Sequence, residues 1–472
     1  MQSHSKEQQF EGQHGHKKDK HAEASRQFRP RFNYRSLCEA LKEHRSNMKN
    51  RGLDPGPLDQ LPEAYEQYRH AQARVNDLRS TRNALSKRIP GLRAQSQKED
   101  EGDVVLMELE RVLDEAAELK GRIEEGEEEL EGAEADLRSL ASLIPNTTHP
   151  EAPIGEEEAA RVVGQKGEAP ITFPFTPKDH VALGELHKLI DLEAGALVSG
   201  ARFCYLRGDA ALLEMALVQY TLGQIVSQGF LPISAPDLVK SELVEACGFR
   251  PRDPGSSQIY QVAPEATDLS EGPMALAGTA EIPLAGMLAQ RILQASELPG
   301  RYVAFGRCFR AEAGARGRDT RGIYRLHQFS KVEMFAVSTP GQSDMVLEEL
   351  RYIQEGLFQS LGLSYRVLDM PTEELGASAY RKYDVEAWMP GRGDWGEISS
   401  ASNCTDYQAR RLNIRYRERA RAAPEFVHTL NGTGCAVPRM LVAILETYQE
   451  ADGRIRIPEV LRPYMLGKEY IG

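Results

Sequence analysis

A chain of 472 residues, 41% hydrophobic and 7% aromatic, has room for two or three domains and a large core. Its formal net charge of −12 argues against indiscriminate nucleic-acid binding, while leaving room for local basic patches. Cys38, Cys204, Cys247, Cys308, Cys404 and Cys435 form no C-x-x-C pair and no Cys/His cluster, which excludes a disulfide frame and a zinc site and predicts free thiols; no apolar run approaches the ~20 residues of a membrane span, so no membrane partner is expected.

Residues 1–31 are polar and almost free of aliphatic side chains, with His4, His14, His16 and His21 among lysines. That composition predicts a disordered leader, with weak metal binding by the histidines as the lesser alternative. Glu7, Glu11, Asp19 and Glu23 interrupt the basic residues, so the leader fits a mitochondrial transit peptide poorly. N-x-S/T triplets at Asn146, Asn403 and Asn431 follow no secretory signal, and glycosylation is not expected.

Residues 32–145 read as helical. A short helix starts at Phe32 and ends at Gly52. A long hairpin follows, with one arm from about Pro62 to Ile89, a break at Pro90–Gly91, and a second arm from about Glu101 to Ile144. Leu109, Ala116, Ile123, Leu130, Leu137 and Ile144 recur every seven residues, the period of a coiled coil. Leu106 and Leu113 are assigned the alternate seam positions; Lys120, Glu127 and Glu134 would continue them, so the seam is expected to fray. Roughly 44 residues at about 1.5 Å each make an arm about 65 Å long. The first helix and tip are basic (Arg69, Arg74, Arg79, Arg82, Lys87, Arg88, Arg93, Lys98), whereas the second is acidic, as in Glu124 to Glu131. A structural coiled coil or dimerisation spacer explains this pattern. So does a basic face for phosphates, provided that the acidic helix faces away.

The Pro-rich connector I-P-N-T-T-H-P-E-A-P-I-G marks a boundary at about residue 145 and opens a second domain, 146–472. A strong helix from Ala210 to Gln228 leads into G-F-L-P-I-S-A-P, a strand ending at Pro236. Around Thr279 the chain reads L-A-G-T-A-E, where a hydroxyl and a carboxylate can meet one small polar ligand. Tyr302 to Phe305 and Val332 to Phe335 read as antiparallel strands joined by a long Gly/Arg loop. Arg310, Arg316, Arg318, Arg321 and Arg325 outnumber the nearby Glu312, Asp319 and Glu333, a balance suited to gripping a polyphosphate. A solvated hairpin with arginines for solubility explains the charge equally well. Farther on, strand residues Asp384 to Trp388, a glycine-rich turn and Glu397-Ile-Ser-Ser offer a carboxylate and hydroxyl to Mg²⁺ and phosphates, or a plain polar strand end. H-T-L-N-G-T-G-C-A-V-P-R-M-L-V-A-I-L-E reads as strand, glycine turn and amphipathic helix, the glycines permitting close backbone approach to a ligand. G-x-x-x-x-G-K-[ST], G-x-S-x-G and H-E-x-x-H are absent, which removes P-loop and two hydrolase alternatives.

F-R-A-E, followed after a loop by R-L-H-Q-F-S-K-V-E, resembles motif 2 of class II aminoacyl-tRNA synthetases, specifically seryl-tRNA synthetases. The stretch ending at Pro236 is similar to motif 1 and the one containing Arg439 to motif 3, so the resemblance spans about residues 32 to 470. It implies an α+β fold: an antiparallel-sheet class II catalytic domain preceded by an antiparallel α-helical coiled-coil arm. It implies that Arg310 holds the α-phosphate and the amino-acid carboxylate, and that Arg439 pairs with the γ-phosphate of a bent ATP, making these two the catalytic residues. Glu312 would receive the adenine amino group and Phe329 stack on the base, with Ala311, Arg325, Leu326, Ile398 and Ser399 completing the ATP site. Glu397 and Ser400 would hold Mg²⁺ with the phosphates. Thr279, Ala280, Glu281, Glu333, Asn431 and Thr433 would bind serine, and His327 would be structural.

The implied reaction joins L-serine and ATP into seryl-adenylate and transfers serine to tRNA-Ser, whose long variable arm the hairpin would reach. The implied assembly is a homodimer through the motif 1 region around Pro236. V-L-D-M-P-T-E-E-L-G, S-A-S-N-C-T-D and C-A-V-P-R look closest to mitochondrial (fungal-type) members, whereas E-A-G-x-x-G-R-D-T-R-G is like bacterial and cytosolic ones. The expected location is the mitochondrial matrix, otherwise the cytoplasm. Two rivals are a catalytically silent paralogue acting as a scaffold and a ligase charging a carrier protein. The first predicts losses at Arg310, Glu312, Glu333 or Arg439; the second predicts a missing arm and Cys/His ligands. Neither is seen.

Overall fold

The computed structural model describes residues 30–96, 102–249, 258–263, 272–312 and 321–472. Most of the leader, Lys98 at the hairpin tip, and Arg316, Arg318 and Asp319 of the Gly/Arg loop lie outside the described residues.

The N-terminal region opens with α1 (Tyr34–Glu39) and α2 (Leu41–Asn50), a pair where one helix was expected. The side chain of Asn33 accepts from the backbone N–H of Ser36 and caps the first. Gly52 ends the second at φ +65°, a conformation that glycine adopts without strain. The hairpin consists of α3 (Leu61–Gln95) and α4 (Gly102–Ser142). Contrary to the expected break, α3 runs through Pro90. A proline inside a helix removes one hydrogen bond and costs about 3 kcal/mol. Here Leu85 and Leu92, on either side of it, are both buried in one cluster with Leu109 and Val112, so packing carries the helix across the defect.

The seam does not fray. Leu109, Ile123 and Leu137 are buried as the seven-residue repeat predicts, but the alternating positions are Val112 and Leu119, followed by buried Gly126. Leu106 and Leu113 are 47% and 38% exposed and lie on the flank, together with exposed Lys120 and Glu127. A heptad repeat fixes one column, and the second column can stand three residues before or three after it. The structure takes the one three after. A Cβ on Gly126 would come 3.2 Å from Val75 Cγ2, so the two helices approach closely there. The basic and acidic helices face each other along the flank: Arg74 pairs with Glu129, Arg79 with Glu127 and Arg88 with Glu108, each at 2.7 Å.

Buried Arg51, beyond α2, ties this region to the second one by donating to the carbonyls of Thr147, Gly376 and Ala379. Asn146 Nδ2 donates to the carbonyls of Ser378 and Cys404 at 2.8 Å.

Eight strands form the main sheet among the described residues: β1 (Arg161–Lys166), β2 (Leu231–Ser234), β3 (Gly300–Phe309), β4 (Gln328–Ser338), β5 (Tyr365–Asp369), β6 (Arg381–Met389), β7 (Asp394–Asn403) and β8 (His428–Ala436). Their order is β1-β5-β6-β7-β8-β4-β3-β2, antiparallel throughout except for the edge pair β2 and β3. Three helices pack against one face: α5 (Asp209–Ser227), α7 (Ser343–Ser360) and α9 (Val437–Thr447). Val332, Met334 and Ala336 of β4 join them in the largest core cluster. Helix α5, 19 residues long, is long and apolar enough by composition to cross a membrane, contrary to the expectation that no run approaches that length. Its Leu213, Ala216, Leu217 and Ile225 are instead buried in this core. Phe335 and Val337 point to the opposite face, where a smaller cluster gathers around α6 (Glu281–Leu288) and α8 (Tyr407–Leu412).

One expectation for the last strand–helix unit changes. No glycine turn separates β8 from α9, because the strand runs through Gly432 and Gly434 to Ala436. A Cβ on Gly434 would lie 2.6 Å from Ile225 Cδ1, so this glycine admits α5 to the back of the sheet rather than a ligand to its front. Helix α9 carries the expected amphipathic sequence pattern, yet Val437, Pro438 and Met440 through Glu446 are all buried.

Candidate active site

The cleft lies on the sheet face opposite the three core helices and, counted with the solvent space at its mouth, spans about 850 Å³. Strand alternation explains which side chains reach it. Along β4 the period of two sends Phe329, Lys331 and Glu333 into the cleft, with Val332 and Met334 in the core. From neighbouring β8 come Asn431 and Thr433, and from the end of β3 comes Arg310. Strand β7 breaks the alternation. Its Glu397 pairs with Glu386 and its Ser399 with Val385, which leaves Ile398 as an extra, bulged residue. Glu397 and Ser400, three apart, thereby both line the cleft, while the Ile398 side chain is buried in the core. The Ser399 hydroxyl donates to the Thr433 carbonyl at 2.6 Å and is already engaged. Arg439 enters from the first turn of α9, and Thr279 and Glu281 from the start of α6.

Fifteen of the seventeen residues expected at the site therefore line one cleft: Thr279, Glu281, Arg310, Glu312, Arg325, Leu326, Phe329, Glu333, Glu397, Ile398, Ser399, Ser400, Asn431, Thr433 and Arg439. Ala280 packs instead into the smaller apolar cluster, and the backbone N–H of Ala311 bonds to the Gln258 carbonyl.

One end of the cleft is cationic. Arg439 pairs with Glu397 at 3.0 Å and lies 4.8 Å over the Tyr324 ring. Burial alone would push the Glu397 carboxyl up. Arg439, Lys382 and Arg310 outweigh it and hold the group at about 2, so it is ionised at any physiological pH. The same pairing raises the Arg439 guanidinium against its own burial. Arg310 donates to the Gly278 carbonyl at 3.2 Å, and its guanidinium lies 5.3 Å over the Phe329 ring. Glu312 adopts φ +45°, its carbonyl accepts from Arg202 at 3.1 Å, and its carboxylate pairs with Arg325 at 3.3 Å. His327 Nδ1 contacts the Arg310 carbonyl at 2.9 Å while the backbone N–H of Arg310 donates to His327 O, so this histidine ties the strand ends together.

The other end is acidic, with Thr279, Glu281, Glu333 and Thr433 all buried. Glu333 pairs with buried Lys331 and accepts from the Thr433 hydroxyl at 3.3 Å. Glu281 is pushed up to about 7 by burial and by the Glu333 charge, against the pull of Gln408, Lys331 and Arg310. Sequence reasoning missed Tyr324, Lys331, Lys382 and Gln408. For Lys331 a signal existed: it stands two residues before Glu333 on a strand, hence on the same face. For Gln408 there was none.

The descriptions of two family models match this chain: "Seryl-tRNA synthetase N-terminal domain" over residues 32–148 and "tRNA synthetase class II core domain (G, H, P, S and T)" over residues 261–448. A serine–tRNA ligase from Rubrobacter xylanophilus is 46% identical over 93% of the chain and 97% of its own length. The chain belongs to the seryl-tRNA synthetases. Another member, from Treponema denticola, is 43% identical over 92% of the chain and 98% of its own length. A seryl-tRNA synthetase from Pyrococcus horikoshii, solved with ATP, superposes with a TM-score of 0.78 at 36% identity, covering 93% of this chain and 99% of that one. Class II seryl-tRNA synthetase architecture, with its helical arm and antiparallel-dominated sheet, is thus the fold of this chain, and the curated relatives named here are bacterial.

Proposed function

We propose that the cleft activates L-serine with ATP to seryl-adenylate and hands the seryl group to tRNA-Ser. One observation carries this reading: a cationic end suited to phosphates adjoins a buried acidic end that offers an ammonium group its partners, in a single cleft. The serine carboxylate attacks the α-phosphorus and pyrophosphate leaves, so the enzyme supplies position and charge rather than acid–base chemistry. Arg310 stands between the two ends, where it can hold the carboxylate and the α-phosphate together. Arg439 neutralises the leaving polyphosphate, Phe329 and Glu312 take the adenine, and Arg325 steadies Glu312. Glu281, Glu333, Thr279, Thr433 and Asn431 offer acceptors and donors to the ammonium and hydroxyl of serine. A buried pocket that hydrogen-bonds a hydroxyl rejects alanine by leaving those groups unpaired.

The residues present fit Mg²⁺. Glu397 is held ionised and shares the cleft with the Ser400 hydroxyl, and Mg²⁺ bound through one carboxylate and substrate phosphates would supply neutralising charge there.

Three further readings belong to the same proposal. Residues 32–145 form a tRNA-binding arm, and 146–472 the catalytic domain. Exposed Arg82, Lys87 and Arg93 near the tip are the arm's contacts for phosphates, because Arg74, Arg79 and Arg88 are occupied by glutamates of α4. The protein is a homodimer through the region around Pro236, where the flanking Leu231 and Leu238 are exposed apolar side chains. A cytoplasmic enzyme agrees with the bacterial relatives. Residence in the mitochondrial matrix rests on a few short stretches, and import of a fusion carrying residues 1–31 tests it.

The decisive experiment is serine-dependent ATP–pyrophosphate exchange on purified protein, with threonine and alanine as controls and Arg310→Ala beside it. Exchange with serine alone, lost in the variant, is expected. No exchange from folded protein that binds ATP would overturn the reading in favour of a silent paralogue.

A further inference from the structure

Behind Glu281, on α8, lies Gln408, whose side chain is fully buried. Its Nε2 donates to Glu281 Oε1 at 2.6 Å and to the Cys247 carbonyl at 3.2 Å, while its Oε1 accepts from the Thr429 hydroxyl at 2.7 Å. A backbone carbonyl can only accept, so the amide cannot be reversed: its NH₂ must face Cys247 and Glu281. Asn431 Nδ2 donates to the same Oε1 at 2.9 Å. With two donors on Oε1, Oε2 is the oxygen left to a ligand in the cleft.

We propose that Gln408 is a positioning residue for amino-acid selection: its locked carboxamide fixes which oxygen of Glu281 meets the substrate and keeps that oxygen an acceptor. The proposal rests on the reading of Glu281 as a serine-binding group. The surroundings make the donor matter. Glu281 faces Glu333 and Lys331 of β4, Arg310 at the end of β3, and the buried thiols of Cys247 and Cys404. Burial and Glu333 favour the protonated acid; Gln408, Lys331 and Arg310 favour the carboxylate. Glu281 already stands at about 7, and removing the Gln408 donor, which leaves Asn431 alone on Oε1, shifts the balance further toward the acid. Glu281 then carries a proton and loses its attraction for an ammonium group.

The test is ATP–pyrophosphate exchange on the full-length enzyme between pH 6 and 8.5, with Gln408→Leu, Thr429→Val and Glu281→Gln in parallel. For Gln408→Leu the KM for serine should rise about tenfold or more at pH 7, the scale of a lost hydrogen bond to a charged group, with the KM for ATP unchanged. The penalty should shrink as pH rises and Glu281 ionises again. Thr429→Val, which only loosens the amide, should shift serine KM the same way by a smaller factor, and it carries the test if Gln408→Leu does not fold. A serine KM within about twofold of wild type, or a penalty equal at every pH as a packing defect would produce, overturns the proposal. Should Glu281→Gln itself leave serine KM unchanged, the reading of the pocket fails. If Glu281→Gln raises KM while the Gln408 and Thr429 variants are silent, only the role of Gln408 fails.

Discussion

The arm and the cleft use the same kinds of ion pair to different ends. In the arm, Arg74–Glu129, Arg79–Glu127 and Arg88–Glu108 join two helices at 2.7 Å, with every side chain at least 40% exposed. Water screens such pairs, and each is worth about 0–1 kcal/mol. They set the facing of the helices, while the apolar seam supplies the cohesion. In the cleft, Lys331 and Glu333 are 7% and 2% exposed, and Arg439–Glu397 lies beside Lys382 and Arg310. There water screens the Lys331–Glu333 pair little, and Arg439 holds the Glu397 carboxyl ionised before a charged ligand arrives.

The largest effect should come from Arg439→Ala, which leaves the partly exposed Glu397 without its chief cationic partner. Exchange should fall about 10²–10³-fold, the scale for a lost group that stabilises developing charge. A stability signature accompanies it. A carboxyl held at about 2 contributes stability that is present above its ordinary value of 4.5 and lost as pH falls through about 2. The gap in urea midpoint between wild type and variant should therefore be wider at pH 6 than at pH 3, and an equal gap would show that the pair does not set that titration.

Next is the pH dependence of the wild-type enzyme. With Glu281 at about 7, its ionised fraction rises about tenfold between pH 6 and pH 8, and kcat/KM for serine should rise with it. The same group acts on stability in the opposite sense. Because its folded value lies above 4.5, the folded state binds the extra proton between those values, and stability falls as pH rises from 4.5 to 7. A flat serine profile would remove the distinction drawn between the two regions.

In the arm, Leu119→Ala should cost about 2 kcal/mol or more, because the residue is buried in the seam, whereas Leu113→Ala on the flank should stay within about 0.5 kcal/mol. Urea titration followed by circular dichroism measures both. Aminoacylation should fall for Leu119→Ala while exchange persists; equal effects of the two variants would restore the alternative seam. The smallest effect belongs to the double variant Glu127→Gln, Glu129→Gln. Its stability should change by no more than about 1 kcal/mol, and freeing Arg74 and Arg79 should tighten tRNA binding at low salt. Tightening that survives high salt would mean that those arginines act through something other than charge.

Much of this was written in the chain. Residue identity at motif spacing was enough to bring Arg310, Glu312, Glu333 and Arg439 into one cleft, because the resemblance carries whole strand–loop–strand and strand–helix units with it. The seven-residue repeat likewise located one column of the arm's seam. What failed were choices between two locally equivalent arrangements. The repeat permits a second column at Leu113 or at Val112, and only contact with α3 selects Val112. A proline at position 90 reads as a break until Leu85 and Leu92 are seen packed on both sides of it.

Which residues would line a common cleft, the helical character of the arm and the antiparallel strands β3 and β4 were therefore legible in the sequence, since each follows from local pattern and motif spacing. Tertiary structure alone decided three things: that the bulge at Ile398 turns both Glu397 and Ser400 to the cleft, that Gly434 serves α5 rather than a ligand, and that Gln408 holds Glu281. Gln408 and Glu281 stand 127 residues apart, and a hydrogen bond across that distance exists only once two separately specified elements have been packed together.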